Sequence, residues 1–181
     1  MTRHSLMWQS SQTTEGERHR VLSKLEASGK DIAIVRLVAN WESGFRPFIL
    51  MADALLTKGE MSPKTREVAV LRMAATLGLE YEWEEHVPIS ERVGVTAEQR
   101  QALKRGGEFS SELFDRDQRI AIEVVDTVLE GGELEPAKWD ALCDTIGEQA
   151  ALELVFGIAW WAGYIPIVSR ILFPLAEPRE A

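Results

Sequence analysis

Glu82 and His86 stand four residues apart in the run Leu79-Glu80-Tyr81-Glu82-Trp83-Glu84-Glu85-His86, which places a carboxylate and an imidazole on one helix face. A carboxylate beside an imidazole orients the ring and favours its protonated form, the arrangement that proton transfer near neutral pH needs. Glu67 sits on the preceding segment, where nearly every neighbour is apolar. A carboxylate there is expected to be partly buried and therefore to need a partner. A helical hairpin closing at Gly78 would bring Glu67 and His86 together. The same residues also admit a purely structural reading, in which Glu82 and His86 form a helix-stabilising pair and Glu67 an ion pair with Arg66 or Arg72. Glu67, Glu82 and His86 are each possible metal ligands, but with one histidine at the cluster and no tight ligand motif no metal is expected. The other two of the three histidines, His4 and His19, lie in polar N-terminal sequence and are expected to be exposed.

The elements that must position these residues read as helices. Residues 14–29 are charged with sparse apolar positions, a surface helix stopped at Gly29. Residues 31–41 are read as a short helix because no strand partner is visible. Phe45, Phe48, Ile49, Ala52, Leu55 and Leu56 repeat at three- and four-residue steps, an amphipathic helix ended by Lys58-Gly59. Ser62-Pro63 is a start signal, with serine as cap and proline at the first helical position. The helix that follows, 63–77, is apolar on several faces and so is expected at the centre of the fold, closed by Gly78. A helix over 80–92 contains Pro88, which should kink it or shift its hydrogen bonding. Thr96 and Gln99 have the spacing of a reciprocal capping box. Further helices are predicted over 115–129, from Pro136 to about 146, and over 148–172 with a break near Pro166. No segment alternates like a strand bounded by hairpin turns. The expectation is an all-α bundle of about eight helices, organised as a polar arm or helix (1–30), a single helical domain (31–175) and a short tail (176–181).

Composition narrows the function classes. The net charge is −9 with 45% hydrophobic and 27% charged residues, an ordinary globular profile that argues against binding nucleic acid, which requires clustered Lys and Arg. The mildly basic stretch around Arg18, His19, Arg20 and Lys24 is interrupted by glutamates and reads as a solvated face. A lone cysteine, Cys143, allows no internal disulfide and is read as a core residue. The N-terminus lacks an apolar signal-peptide core. The uncharged run between Glu153 and Arg170 is shorter than a usual span of ~20 residues and holds two glycines and Pro166. A buried or interface helix is expected there, with no membrane partner and a cytoplasmic location. Trp160-Trp161 within it suits a core, a subunit interface or an apolar ligand pocket.

The stretch Met61-Ser-Pro-Lys-Thr-Arg-Glu-Val-Ala-Val-Leu-Arg-Met-Ala, followed by Glu80-Tyr-Glu-Trp-Glu-Glu-His-Val and Gly94-Val-Thr, resembles the carboxymuconolactone decarboxylase family, which includes the alkyl hydroperoxidase D-like proteins. The core resemblance covers about 46–105, and the second half resembles the C-terminal extension of many such proteins. It implies an alkyl hydroperoxidase D-like helical bundle and homo-oligomers, as dimers, trimers or hexamers. The family's redox members use a glutamate, a Cys-x-x-Cys pair and a histidine four residues after the second cysteine. Glu67 and His86 match the outer positions, while Leu79 and Glu82 stand where the cysteines would be. Peroxidase or peroxiredoxin-type chemistry needs a thiolate to attack and a second thiol to resolve, so this departure disfavours it. The expectation is a cofactor-free acid–base enzyme, a decarboxylase or lyase acting on a small organic acid or lactone. His86, Glu67 and Glu82 would be its catalytic residues, with Trp83, Tyr81, Arg72 and Leu79 lining the substrate. The alternative is a non-catalytic ligand-binding or oligomeric protein.

Overall fold

The computed structural model describes residues 5–178. Within them the chain is helical: α1 (Gly16–Ala27), α2 (Ala33–Val38), α3 (Glu42–Thr57), α4 (Pro63–Leu77), α5 (Glu80–Arg92), α6 (Ala97–Arg105), α7 (Arg116–Leu129), α8 (Pro136–Ile146), α9 (Glu148–Ile158) and α10 (Ile165–Leu172). A π turn, Ala159–Tyr164, joins α9 to α10 without a break. The all-α expectation holds. Among the described residues the helix count exceeds eight, the last predicted helix dividing at the π turn into α9 and α10.

The chain forms two compact units, one of residues up to Ala54 with those from Ile167 onward, the other Leu55–Pro166. In the first, α1 contributes Leu22 to the core and α2 contributes Ile34, Val35, Leu37 and Val38. Leu6 and Ala176 pair there in an isolated parallel bridge, and the indole Nε1 of Trp8 donates to the Glu177 carbonyl at 2.7 Å. His19 is exposed, with its Nδ1 2.8 Å from the Ser11 carbonyl; His4 lies outside the described residues.

The second unit is built around α4. Thr65 through Leu71, with Met73 and Ala74, are buried, so the helix is enclosed on all sides, as its apolar pattern requires. It packs against α5, α6, α7, α9 and the π turn. One apolar cluster joins Val70 and Met73 to Val124 and Val125 of α7, Leu142 of α8, and Leu154, Ile158 and Trp161 of the α9–π segment. A second joins Val68 and Leu71 to Val95, Leu103, Phe114 and Ile122.

The helix ends follow local chemistry, with one difference. Thr96 and Gln99 close the reciprocal box, Gln99 N donating to Thr96 Oγ1 at 3.1 Å and Thr96 N to Gln99 Oε1 at 3.0 Å. Asp115 caps α7 by accepting from Gln118 N at 2.8 Å. Ser62 occupies the cap position of α4, but its side chain makes no capping bond; its carbonyl accepts from Arg66 N instead. Pro88 lies inside α5, which is assigned as one helix from Glu80 to Arg92.

The disturbance expected near Pro166 falls one turn upstream, in the π turn. Proline removes the N–H that would bond to the carbonyl four residues back and crowds that carbonyl, and a widened turn relieves both. By length and composition, the continuous run Glu148–Leu175 is the one candidate among the described residues for crossing a membrane. Its Ala150, Ala151, Leu154, Ile158 and Trp161 lie in the protein core.

Candidate acid–base site

The α4–α5 hairpin turns at Gly78, whose left-handed backbone (φ 63°) suits a residue without a Cβ. Leu79 N reaches back to the Ala74 carbonyl at 2.8 Å and locks the turn. With the two helices packed side by side, Glu67 of α4 and His86 of α5 meet: His86 Nδ1 lies 2.8 Å from Glu67 Oε2. The other Glu67 oxygen accepts from Arg66 Nε at 3.0 Å. Arg66 is anchored in turn through Nη1 to the Leu56 carbonyl at 3.0 Å. Glu67 is fully buried and His86 and Arg66 nearly so. A buried carboxylate this far from water is tolerable because each of its oxygens has a cationic or N–H partner.

Glu82 completes the group. Its Oε2 stands 4.0 Å from His86 Nε2, within ion-pair reach but beyond a hydrogen bond. Its Oε1 is buried and has no hydrogen-bond partner among the described residues. Burial raises the Glu82 carboxyl to about 7; the nearby His86 offsets part of that rise and Glu85 adds to it. Near neutral pH this side chain therefore has access to both its acid and its carboxylate form. Because Glu67 faces Nδ1, that nitrogen carries a proton toward the carboxylate. The ring's Nε2 is left toward Glu82. The result is a chain Arg66–Glu67–His86–Glu82 across one helix hairpin.

The structure thus brings together Glu67, Glu82 and His86, and the Arg66–Glu67 ion pair of the structural reading is present within the same chain of contacts. It does not bring Arg72 to them. Five residues after Glu67, Arg72 is turned about 140° away around α4. Its guanidinium grips Asp126 through two hydrogen bonds, 2.7 Å and 3.1 Å. It also donates to the Leu103 carbonyl and lies over the Phe109 ring. Trp83 packs against the second apolar cluster, with Lys104 over its ring at 4.8 Å. Leu79 is buried at the turn and Tyr81 is half-buried.

One neighbour of the site was not among the residues singled out as catalytic or substrate-lining. Trp161, from the π turn, meets the His86 ring at right angles, with centroids 5.7 Å apart. It is seated there by Gly157, one helical turn earlier: a Cβ on Gly157 would come within 2.8 Å of Trp161 Cζ3. The Trp-Trp dipeptide was a visible signal, but nothing local tied it to His86. Trp160 instead stacks on Tyr164, centroids 4.9 Å apart. Gly157→Ala is expected to push the Trp161 ring off His86 and cost about 1–2 kcal/mol, overpacking outweighing the better helix propensity of alanine. Near-UV circular dichroism and a urea titration would check it, and an unchanged spectrum would show that the ring does not rest on that notch.

Among the described residues no group of three or more His, Cys, Asp or Glu side chains is placed to hold a metal ion. Cys143 is half-buried against the first apolar cluster. Desolvation, and then Glu148, Asp140 and Asp144, raise its thiol, the reverse of what a reactive thiolate needs.

Among the described residues, fold and cluster together show a helical protein whose buried ionisable side chains, Arg66, Glu67, Glu82 and His86, are gathered across one central hairpin. Residues 44–110, which contain that hairpin, match the model of the carboxymuconolactone decarboxylase family. No curated protein matches the chain. Trp161 lies outside the matched segment.

Proposed function

We propose that this protein is a cofactor-free acid–base enzyme of the decarboxylase or lyase type, acting on a small organic acid or lactone. The observation that carries the reading is the buried Glu67–His86 contact of 2.8 Å with Glu82 on the far side of the imidazole. Decarboxylation and related eliminations leave an electron pair on carbon that must be delocalised and then protonated. A fixed imidazole beside a carboxyl group that titrates near neutrality provides the proton and the electrostatic support. The absence of cysteine at positions 79 and 82, together with the raised thiol of Cys143, weighs against peroxide reduction. A cytoplasmic location and a small-molecule partner belong to the same proposal.

The test is an assay of small lactone acids with wild type and His86→Ala, each checked for folding by circular dichroism. The variant is expected to lose about 10²–10⁴-fold in rate. Equal rates would remove His86 from the mechanism.

A second reading, self-assembly, draws on α9, where Leu152, Val155 and Phe156 expose apolar side chains, Phe156 at 57%. Such a face suits a copy of the same chain. Light scattering at micromolar concentration is expected to show an oligomer, and a monomer would defeat this reading.

A further inference from the structure

Hydrogen-bonding capacity in the buried chain is unevenly used. Both Glu67 oxygens are occupied, one by Arg66 and one by His86 Nδ1. Arg66 is committed to Glu67 and to the Leu56 carbonyl. Glu82 alone keeps a buried oxygen, Oε1, with no partner among the described residues, and its other oxygen stops 4.0 Å short of the imidazole. An unpaired buried polar atom costs about 1–3 kcal/mol, so its persistence points to a partner supplied from outside the chain.

We propose that Glu82, not His86, is the group that meets the substrate, and that the atom it takes is an uncharged carbonyl oxygen, as a lactone or enone presents, rather than a carboxylate. This rests on the acid–base reading above and divides the labour within it. The charged groups facing Glu82 are Glu85 and His86 on its own helix, with Glu67 and Arg66 behind the imidazole on α4; Trp161 meets His86 from the π turn. The buried cluster already holds two carboxyl groups and a single arginine, which is committed to Glu67. A substrate carboxylate at Glu82 would add a further negative charge with no counter-ion, a costly placement in low dielectric. A neutral carbonyl oxygen instead accepts a hydrogen bond from the Glu82 carboxylic acid, the form that burial favours.

A proton shared between Glu82 and His86 Nε2 leaves the net charge of the cluster unchanged whichever group holds it. In a decarboxylation the bond to the departing carboxylate breaks. Its electron pair stays on the substrate carbon and spreads onto the neighbouring carbonyl oxygen, and carbon dioxide leaves. Glu82 then gives its proton to that carbon and becomes a carboxylate. His86 Nε2 takes a proton from solvent and returns it to Glu82, so each turnover consumes one proton. His86 is on this account a positioning and reloading residue, held in register by Glu67. The carboxylate that departs is carried elsewhere on the substrate, away from Glu82.

Infrared difference spectroscopy on the full chain tests the assignment. At pH 6 the wild type is expected to show the C=O stretch of a buried carboxylic acid that Glu82→Gln lacks. An unsaturated γ-lactone should shift that band, and its ring-opened carboxylate should not. Turnover, where a substrate is found, should fall at least 100-fold in Glu82→Gln. A missing band, a band the lactone leaves in place, or an equal shift with the carboxylate would overturn the proposal. So would turnover kept within twofold in Glu82→Gln but lost in His86→Ala, a result that leaves the acid–base function standing. A lactone-shifted band with no turnover of any lactone acid would instead sink the decarboxylase reading and keep the assignment of Glu82.

Discussion

Replacing Glu67 by alanine is expected to destabilise the protein by about 3–5 kcal/mol. Glu67 is completely buried, and its two oxygens serve Arg66 at 3.0 Å and His86 at 2.8 Å. Removing the carboxylate leaves a guanidinium and an imidazole facing one another, both almost wholly buried. Arg66 keeps its bond to the Leu56 carbonyl, and the Glu82 carboxyl stands 4.0 Å from His86 Nε2, beyond a hydrogen bond. Glu67→Gln should cost less, because the amide oxygen still accepts from one of the two donors while the charge is lost. Urea unfolding of the three proteins at one pH provides the comparison. If alanine and glutamine at this position are equally mild, within about 0.5 kcal/mol of wild type, Glu67 does not hold the hairpin.

Glu82 should have the opposite effect, and a pH-dependent one. Its folded-state carboxyl is raised from 4.5 to about 7, so between those values the folded protein holds a proton that the unfolded chain has released. Stability from this group is therefore complete below about pH 4.5, declines as pH rises through 7, and is level beyond that. The shift corresponds to about 3 kcal/mol between the two limits. Glu82→Gln removes this decline. The variant is expected to match or slightly trail the wild type at pH 5 and to exceed it at pH 8, the gap widening across the interval. Comparing the two proteins isolates Glu82 from the other carboxylates, which titrate in both. Parallel stability–pH curves would show that Glu82 ionises in the fold as readily as in the unfolded chain. If the gain at pH 8 is accompanied by lost turnover, the side chain is kept for chemistry at the expense of stability.

Local physics made much of this fold readable in advance. Val68 to Leu71, with Met73 and Ala74, put apolar side chains on several faces of one helix, and those faces of α4 are indeed enclosed. Thr96 and Gln99 had the spacing of a reciprocal cap, which depends on only four residues, and they form it. The meeting of Glu67 with His86 followed from two helices and a glycine turn between them. What escaped was decided by distant parts of the chain. Arg72 was available to a substrate by sequence, but Asp126, on a helix far along the chain, takes its guanidinium in two bonds. Trp161 lies far along the chain from His86, and no periodicity within either helix reports their contact. A break near Pro166 was expected, and the irregular turn Ala159–Tyr164 lies just before that proline. The backbone relieves the lost hydrogen bond upstream, where the carbonyl is, so the irregular turn includes Trp161.

The notch at Gly157 turns a contact in space into a mark that can be searched for. Because the indole of Trp161 fills the space where a Cβ would stand, neither residue can vary alone without disturbing the other. A Gly-x-x-x-Trp spacing in the second half of a chain, coupled with glutamate in place of the second cysteine before the histidine, would pick out proteins sharing this arrangement. Within such a set, glycine and tryptophan should be gained and lost together, so the second half of the chain would carry a record of how the first half is used.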